Sequence, residues 1–111
     1  VGVGGARIVV FDCEHLTDEG SPSRFWCGPD DPDPVLVQIG AVRLSLVPPF
    51  DLQDTFDCIV RPAGRAGPVL PSAFFARLTG IDAVRVAAEG RELGQALADF
   101  AAFAGPDPIY S

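Results

Sequence analysis

The sequence predicts an α/β domain with a mixed sheet, in which strands 1–3 run antiparallel and helices then cross to a fourth strand parallel to the first. Three observations carry this expectation. Ile8-Val9-Val10-Phe11 is an unbroken β-branched and aromatic run, the pattern of a central strand covered on both faces. Val35 to Leu46 and Asp54 to Val60 read as two more strands, and the short link between them through Pro48-Pro49 suits an antiparallel hairpin. From Ser72 onward the apolar spacing turns helical, and the last residues, Ile109-Tyr110, resemble the start of a strand again.

Taken in order, Val1-Gly2-Val3-Gly4-Gly5 reads as a flexible lead-in, so that residues 1–6 precede a domain spanning 7–111. The first strand ends in two carboxylates, Asp12 and Glu14. Side chains alternate across a strand, so the pair points to one face, within reach of a common ion. Carboxylates beside a buried strand are costly unless something neutralises them, and the nearest cation, Arg7, stands at the strand's far end. Oxygen-only ligands favour Mg²⁺ or Mn²⁺ over zinc. The alternative for Asp12 is a loop residue or the cap of a following helix.

His15 to Pro34 is a polar, Gly- and Pro-rich loop about twenty residues long, and loops of such length in small domains are commonly functional or disordered. Phe25-Trp26 in its middle could stack on a base or a partner, but is read first as an anchor that tucks the loop back. The run Asp30-Asp31-Pro32-Asp33-Pro34 reads as a solvated turn. In the second strand Val35, Val37, Ile39 and Ala41 share a face before Val42, Leu44 and Leu46 take over. The switch beside Gly40 predicts a bulge or a close backbone approach. The third strand places Phe56, Cys58 and Val60 on one side and Thr55 and Asp57 on the other.

A Gly/Pro connector from Arg61 to Pro68 leads to a short helix around Ser72 to Leu78, with Phe74, Phe75 and Leu78 as its apolar face and Gly80 at its stop. Asp82 caps a second helix that Gly90 closes. A third runs from about Arg91 to Ala104 with Leu93, Leu97, Phe100 and Ala104 as its packing stripe. The chain then stops three residues into the fourth strand, which predicts a partial domain, truncated at that strand.

Composition bounds the function. At 111 residues the chain has room for one small domain. It has no apolar run of membrane-spanning length and no signal-peptide order, so no membrane partner is expected. Three cysteines without C-x-x-C spacing argue against a disulfide framework or a zinc site and suit a cytoplasmic location. The net charge of −7 is the wrong sign for holding nucleic acid on a basic surface, although bound divalent ions would offset part of it.

The order of pieces resembles the DEDD (DnaQ-like) 3′–5′ exonuclease superfamily. The resemblance rests on Val9-Val10-Phe11-Asp12-Cys13-Glu14, Val37-Gln38-Ile39-Gly40-Ala41-Val42, Phe56-Asp57-Cys58-Ile59-Val60-Arg61-Pro62 and Phe74-Phe75-Ala76-Arg77-Leu78-Thr79-Gly80-Ile81. It covers Arg7 to Ser111 and is nearest to the ERI-type and KapD-like branch that trims RNA 3′ ends. It implies a ribonuclease H-like exonuclease fold. The implied activity is hydrolysis of the terminal phosphodiester of single-stranded RNA or DNA, aided by two divalent ions about 4 Å apart. Asp12 would bridge both ions. Glu14 would bind the ion on the nucleophile side and hold the terminal 3′ hydroxyl. His15, Leu16, Thr79, Gly80 and Ile81 would lie near the terminal nucleotide, although Gly80 and Ile81 read equally as a helix stop and a core contact.

Three departures qualify the resemblance. His15-Leu16 stands where the family often has a Thr, and the loop after the first strand is longer than in compact members. The family's second Asp, its general base and its final Asp would all fall beyond Ser111. Two other readings stand beside it. One is a non-catalytic interaction module on a nuclease-like fold. The other is a haloacid-dehalogenase-like phosphatase with Asp12 as nucleophile, which an antiparallel second strand and Glu14-His15-Leu16 disfavour. The glycines at 2–5 precede the strand, which excludes a dinucleotide-binding Rossmann turn.

Overall fold

The computed structural model describes residues 6–111. The lead-in expected over residues 1–6 lies, except for Ala6, outside the described residues. Six strands and three helices follow one another as β1 (Arg7–His15), β2 (Leu36–Ser45), β3 (Leu52–Ile59), β4 (Ala63–Gly64), β5 (Gly67–Pro68), α1 (Ala73–Thr79), α2 (Ala83–Glu89), α3 (Leu93–Ala104) and β6 (Ile109–Tyr110). The main sheet has the order β3-β2-β1-β6. β1 and β2 pair antiparallel, as do β2 and β3, while β6 lies parallel to β1 with Val9 opposite Ile109. The mixed sheet predicted from the sequence is therefore present. The β4–β5 ribbon inside the Gly/Pro connector is an addition to it.

Local chemistry accounts for the helix boundaries. The Ser72 hydroxyl accepts the Phe75 amide at 3.1 Å and the Asp82 carboxylate accepts the Arg85 amide at 2.8 Å, each satisfying an orphan donor of a first turn. Gly80 ends α1 in the left-handed region at φ 78°, where its amide donates to the Ala76 carbonyl.

Packing divides the sheet into unlike faces. α3 lies on the face carrying Val9, Phe11, Cys13, Ile39, Ala41, Phe56 and Cys58, and meets it with Ala96, Phe100, Phe103 and Ala104. Of the stripe expected on this helix, Phe100 and Ala104 make the contact and Leu93 and Leu97 do not. Leu93 and Leu97 are each 49% exposed, and the small Ala96 and Ala104 take the contact because they let the helix axis approach the strands closely. At the end of the sheet Leu16, Val37 and Ile59 close a second core with Phe75, Ile81 and Val86 from the α1–α2 region. Leu78, assigned to the apolar face of α1, is exposed.

The opposite face of β1 carries Ile8, Val10, Asp12 and Glu14. Ile8 and Val10 are only half-buried, and neither belongs to a core cluster among the described residues. The expectation that β1 is covered on both faces is corrected: α3 covers one face only. No helix among the described residues is long and apolar enough to cross a membrane.

A half-buried arginine holds β6 to the sheet. Arg43 donates from Nε to Asp107 Oδ2 at 2.8 Å and from Nη2 to the Phe103 carbonyl, and its guanidinium lies 4.5 Å from the Phe103 ring centre. Asp107 also accepts Arg7 Nε at 3.1 Å. The Arg43 bond first, and Arg7 second, hold the Asp107 carboxyl below the usual carboxylate range. The clasp ties the end of α3 to β1 and β2, and the Val9 amide then donates to the Pro108 carbonyl at 2.9 Å.

Candidate functional site

Asp12 and Glu14 emerge on the face of β1 opposite α3, as period-two alternation requires. The cross-strand register extends them into a row. Gly40 stands opposite Asp12 on β2, Asp57 stands opposite Gly40 on β3, and Gln38 stands opposite Glu14. Asp12, Cys13, Glu14, Gln38, Gly40 and Asp57 line one shallow depression of about 270 Å³. Within it the Gln38 amide donates to Asp57 Oδ1 at 2.9 Å, and Asp12 Oδ1 accepts its neighbour's amide, that of Cys13, at 2.9 Å.

The electrostatics differ from expectation in one respect. Asp12 is exposed and Glu14 half-buried, so water can solvate both carboxylates. The argument that burial forces a cation on them falls away. Neither forms an ion pair among the described residues, and both remain open to a ligand. Cys13 between them is a poor nucleophile: burial first, and the charges of Asp12 and Glu14 second, push its thiol up. As metal ligands the two carboxylates suit a hard ion that keeps most of its waters, which is how Mg²⁺ is commonly held. Among the described residues no group of three or more His, Cys, Asp and Glu side chains is gathered for an ion. Asp57 stands two strands away, about 10 Å from Asp12 at strand spacing.

The other residues assigned to the site fall elsewhere. Leu16 is 1% exposed and Ile81 fully buried, and both belong to the core around Phe75. The Thr79 hydroxyl donates to the Phe75 carbonyl at 2.8 Å and accepts the Ile81 amide at 3.1 Å, closing α1. Gly80 is exposed at the helix stop. His15 is exposed beyond an irregularity in the β1–β2 ladder between Glu14 and His15. In this conformation only His15, Thr79 and Gly80 offer surface to a nucleotide.

Gly40 does not behave as expected either. The β1–β2 register runs unbroken through it, so there is no bulge, and a Cβ built there meets nothing within 4 Å. The ladder irregularities on β2 lie to either side of it: at Val37, between the Glu14–Gln38 and His15–Leu36 pairs, and between Arg43 and Leu44, where β2 pairs with β3.

The loop after β1 is built around a residue the sequence had placed in a solvated turn. The Asp31 side chain is 1% exposed. It accepts Arg24 through Nη2 at 2.6 Å and Nε at 3.0 Å, the Ser21 hydroxyl at 2.8 Å and the Gly28 amide at 2.7 Å. Arg24 first, then Ser21 and Gly28, hold its carboxyl far below the usual carboxylate range. Trp26 is the anchor: its indole Nε1 donates to the Leu16 carbonyl at 2.9 Å. Phe25 is not an anchor, being 81% exposed. Both adopt left-handed backbone, with φ 52° and 56°, at a cost of roughly 1–2 kcal/mol each that the surrounding bonds must offset. The sequence signal for this clasp was faint, namely an Arg and an Asp flanking an aromatic pair.

Compared with models of protein families and with curated proteins, the sequence finds no match.

Proposed function

We propose that this chain carries the first carboxylate pair of a 3′–5′ exonuclease site of the DEDD type. The site would hydrolyse the terminal phosphodiester of a single-stranded RNA or DNA end with Mg²⁺ or Mn²⁺, on a ribonuclease H-like sheet. One observation carries the reading: Asp12 and Glu14 stand side by side, accessible and without an ion pair among the described residues, on the face of β1 that α3 leaves open. Their exposure matters as much as their spacing, because a polymer end has to reach them.

Asp12 and Glu14 would hold the divalent ions, which when bound activate water and stabilise the leaving oxygen. The apolar half of β1, packed through Val9 and Phe11 against α3, fixes both carboxylates on a rigid element. Glu14 also has acceptor oxygens for a terminal hydroxyl. His15, Thr79 and Gly80 are the accessible candidates for contacts to the terminal nucleotide. Three free thiols suit a reducing compartment such as the cytoplasm.

The test is the product of the whole reading frame, incubated with Mn²⁺ and single-stranded RNA or DNA labelled at the 3′ end. Stepwise loss from that end, blocked by chelator and by Asp12→Ala, is expected. Asp12→Ala should keep the wild-type melting temperature because the carboxylate it removes is exposed. Wild-type turnover by Asp12→Ala would sink the assignment.

A second reading, a non-catalytic interaction module on the same sheet, is favoured by the net charge of −7 and by exposed Phe25 on a clasped loop. It predicts no cleavage with any divalent ion. The antiparallel β1–β2 pair counts against a haloacid-dehalogenase-like phosphatase.

A further inference from the structure

A glycine inside a strand weakens it, and it is normally explained by a bulge, a bend, or something that approaches the backbone closely. At Gly40 the first two explanations fail, since the ladder to β1 runs in register from Arg7 opposite Ser45 to Glu14 opposite Gln38, and that to β3 is regular from Gln38 to Arg43. Nor does its φ fall in the left-handed region, where only glycine is at ease. Among the described residues no atom outside its chain neighbours lies within 4 Å of the Cβ position. What remains is an approach from outside the described chain.

The surroundings define what approaches. Gly40 lies in the centre of the row Asp12–Gly40–Asp57, with Glu14 and Gln38 beside it, and these residues line the depression. With divalent ions held at Asp12 and Glu14, the Asp57 carboxylate and the Gln38 amide remain on this floor as hydrogen-bonding groups. A group carrying hydroxyl donors suits this floor, and a terminal nucleotide's sugar is such a group.

Resting on the exonuclease reading, we propose that Gly40 is the seat of the substrate's terminal sugar. The bare backbone at the centre of the sheet lets the sugar lie against β2, with its hydroxyls turned toward the flanking carboxylates. Gly40 is therefore a determinant of substrate binding, and the stability a side chain would add has been forgone for it.

The inference makes stability and binding move in opposite directions. Alanine or valine at this position would fill empty space in a regular strand, which raises strand preference without a clash. Gly40→Ala and Gly40→Val, made in the product of the whole reading frame, should melt at or above the wild-type temperature. In the Mn²⁺ assay on a 3′-labelled single-stranded oligonucleotide, Gly40→Val should raise KM by about tenfold or more, with Gly40→Ala between it and wild type and kcat changing less. Thr55→Val, on β3 outside the depression, is the control for a bulkier sheet face and should leave KM within about twofold of wild type. If wild type cleaves and Gly40→Val keeps the wild-type KM, or if Thr55→Val raises KM as much, the inference is overturned while the exonuclease assignment stands. If wild type removes no nucleotide, the assignment falls and the inference with it.

Discussion

Ile81 separates a core residue from a substrate contact. Its side chain is fully buried against Leu16, Val37, Ile59, Phe75 and Val86. Ile81→Ala removes three carbons, worth about 2.4 kcal/mol at ~0.8 kcal/mol per buried methylene. The cavity left in a cluster closed on several sides raises the loss to about 3–4 kcal/mol. A domain of this size has roughly 5–15 kcal/mol of stability, so the variant should still fold, with a melting temperature lowered by about 10–25 °C. Urea unfolding followed by circular dichroism is the assay. The midpoint should fall with the slope unchanged, because a cavity does not alter the surface exposed on unfolding. Ile81→Val, one methylene smaller, should lose about 1 kcal/mol. In the nuclease assay below its melting range, Ile81→Ala should keep the wild-type KM. A stability loss under about 1 kcal/mol together with a raised KM would refute the core placement and restore Ile81 to the nucleotide site.

Two further outcomes follow from the clasps. Because the Asp31 carboxyl is depressed in the folded chain, its stabilisation of the loop is present above the unfolded-chain value near ~4 and is lost as pH falls below that toward the folded value. Trp26 is the single tryptophan, so its fluorescence should hold steady from neutral pH to about 4 and shift below that. Asp31→Asn should show the shifted spectrum already at neutral pH, and superimposable titrations would contradict the clasp. Arg43→Met should speed hydrogen exchange at the Val9 amide about tenfold, since the Asp107 and Phe103 bonds that keep Pro108 beside β1 are lost. Unchanged exchange there would show that β6 is held by its ladder alone.

How far the sequence could be read depended on whether a local pattern had a unique physical meaning. Strand runs, the caps at Ser72 and Asp82 and the stop at Gly80 do, because each meets a backbone requirement within a few residues. The shared face of Asp12 and Glu14 follows from strand alternation in the same way. On α3 the expected stripe holds at Phe100 and Ala104 and fails at Leu93 and Leu97, with Ala96 making the contact instead, since periodicity marks which residues are apolar and not how near the helix can come. Leu16 and Ile81 enter the site only through the resemblance, and a motif position does not separate a core residue from a nucleotide contact, since apolar residues line both. Asp31 lay in an acidic, proline-broken run that looks the same solvated or clasped, and Arg24, seven residues away, shares no period with it. Gly40 carried a signal, but choosing among a bulge, a bend and an open seat required the register.

The Asp31 clasp reaches across the tip of its loop. Arg24 precedes Phe25 and Asp31 follows it, so the guanidinium–carboxylate bonds bridge the same gap as the peptide backbone between them. The covalent connection at the tip is therefore duplicated by a non-covalent one. A single cut between Phe25 and Trp26 would leave the two halves stapled, with the indole of Trp26 still seated on Leu16. In engineering terms, Phe25 is the point where new chain ends could be opened while the loop stays clasped to the end of β1.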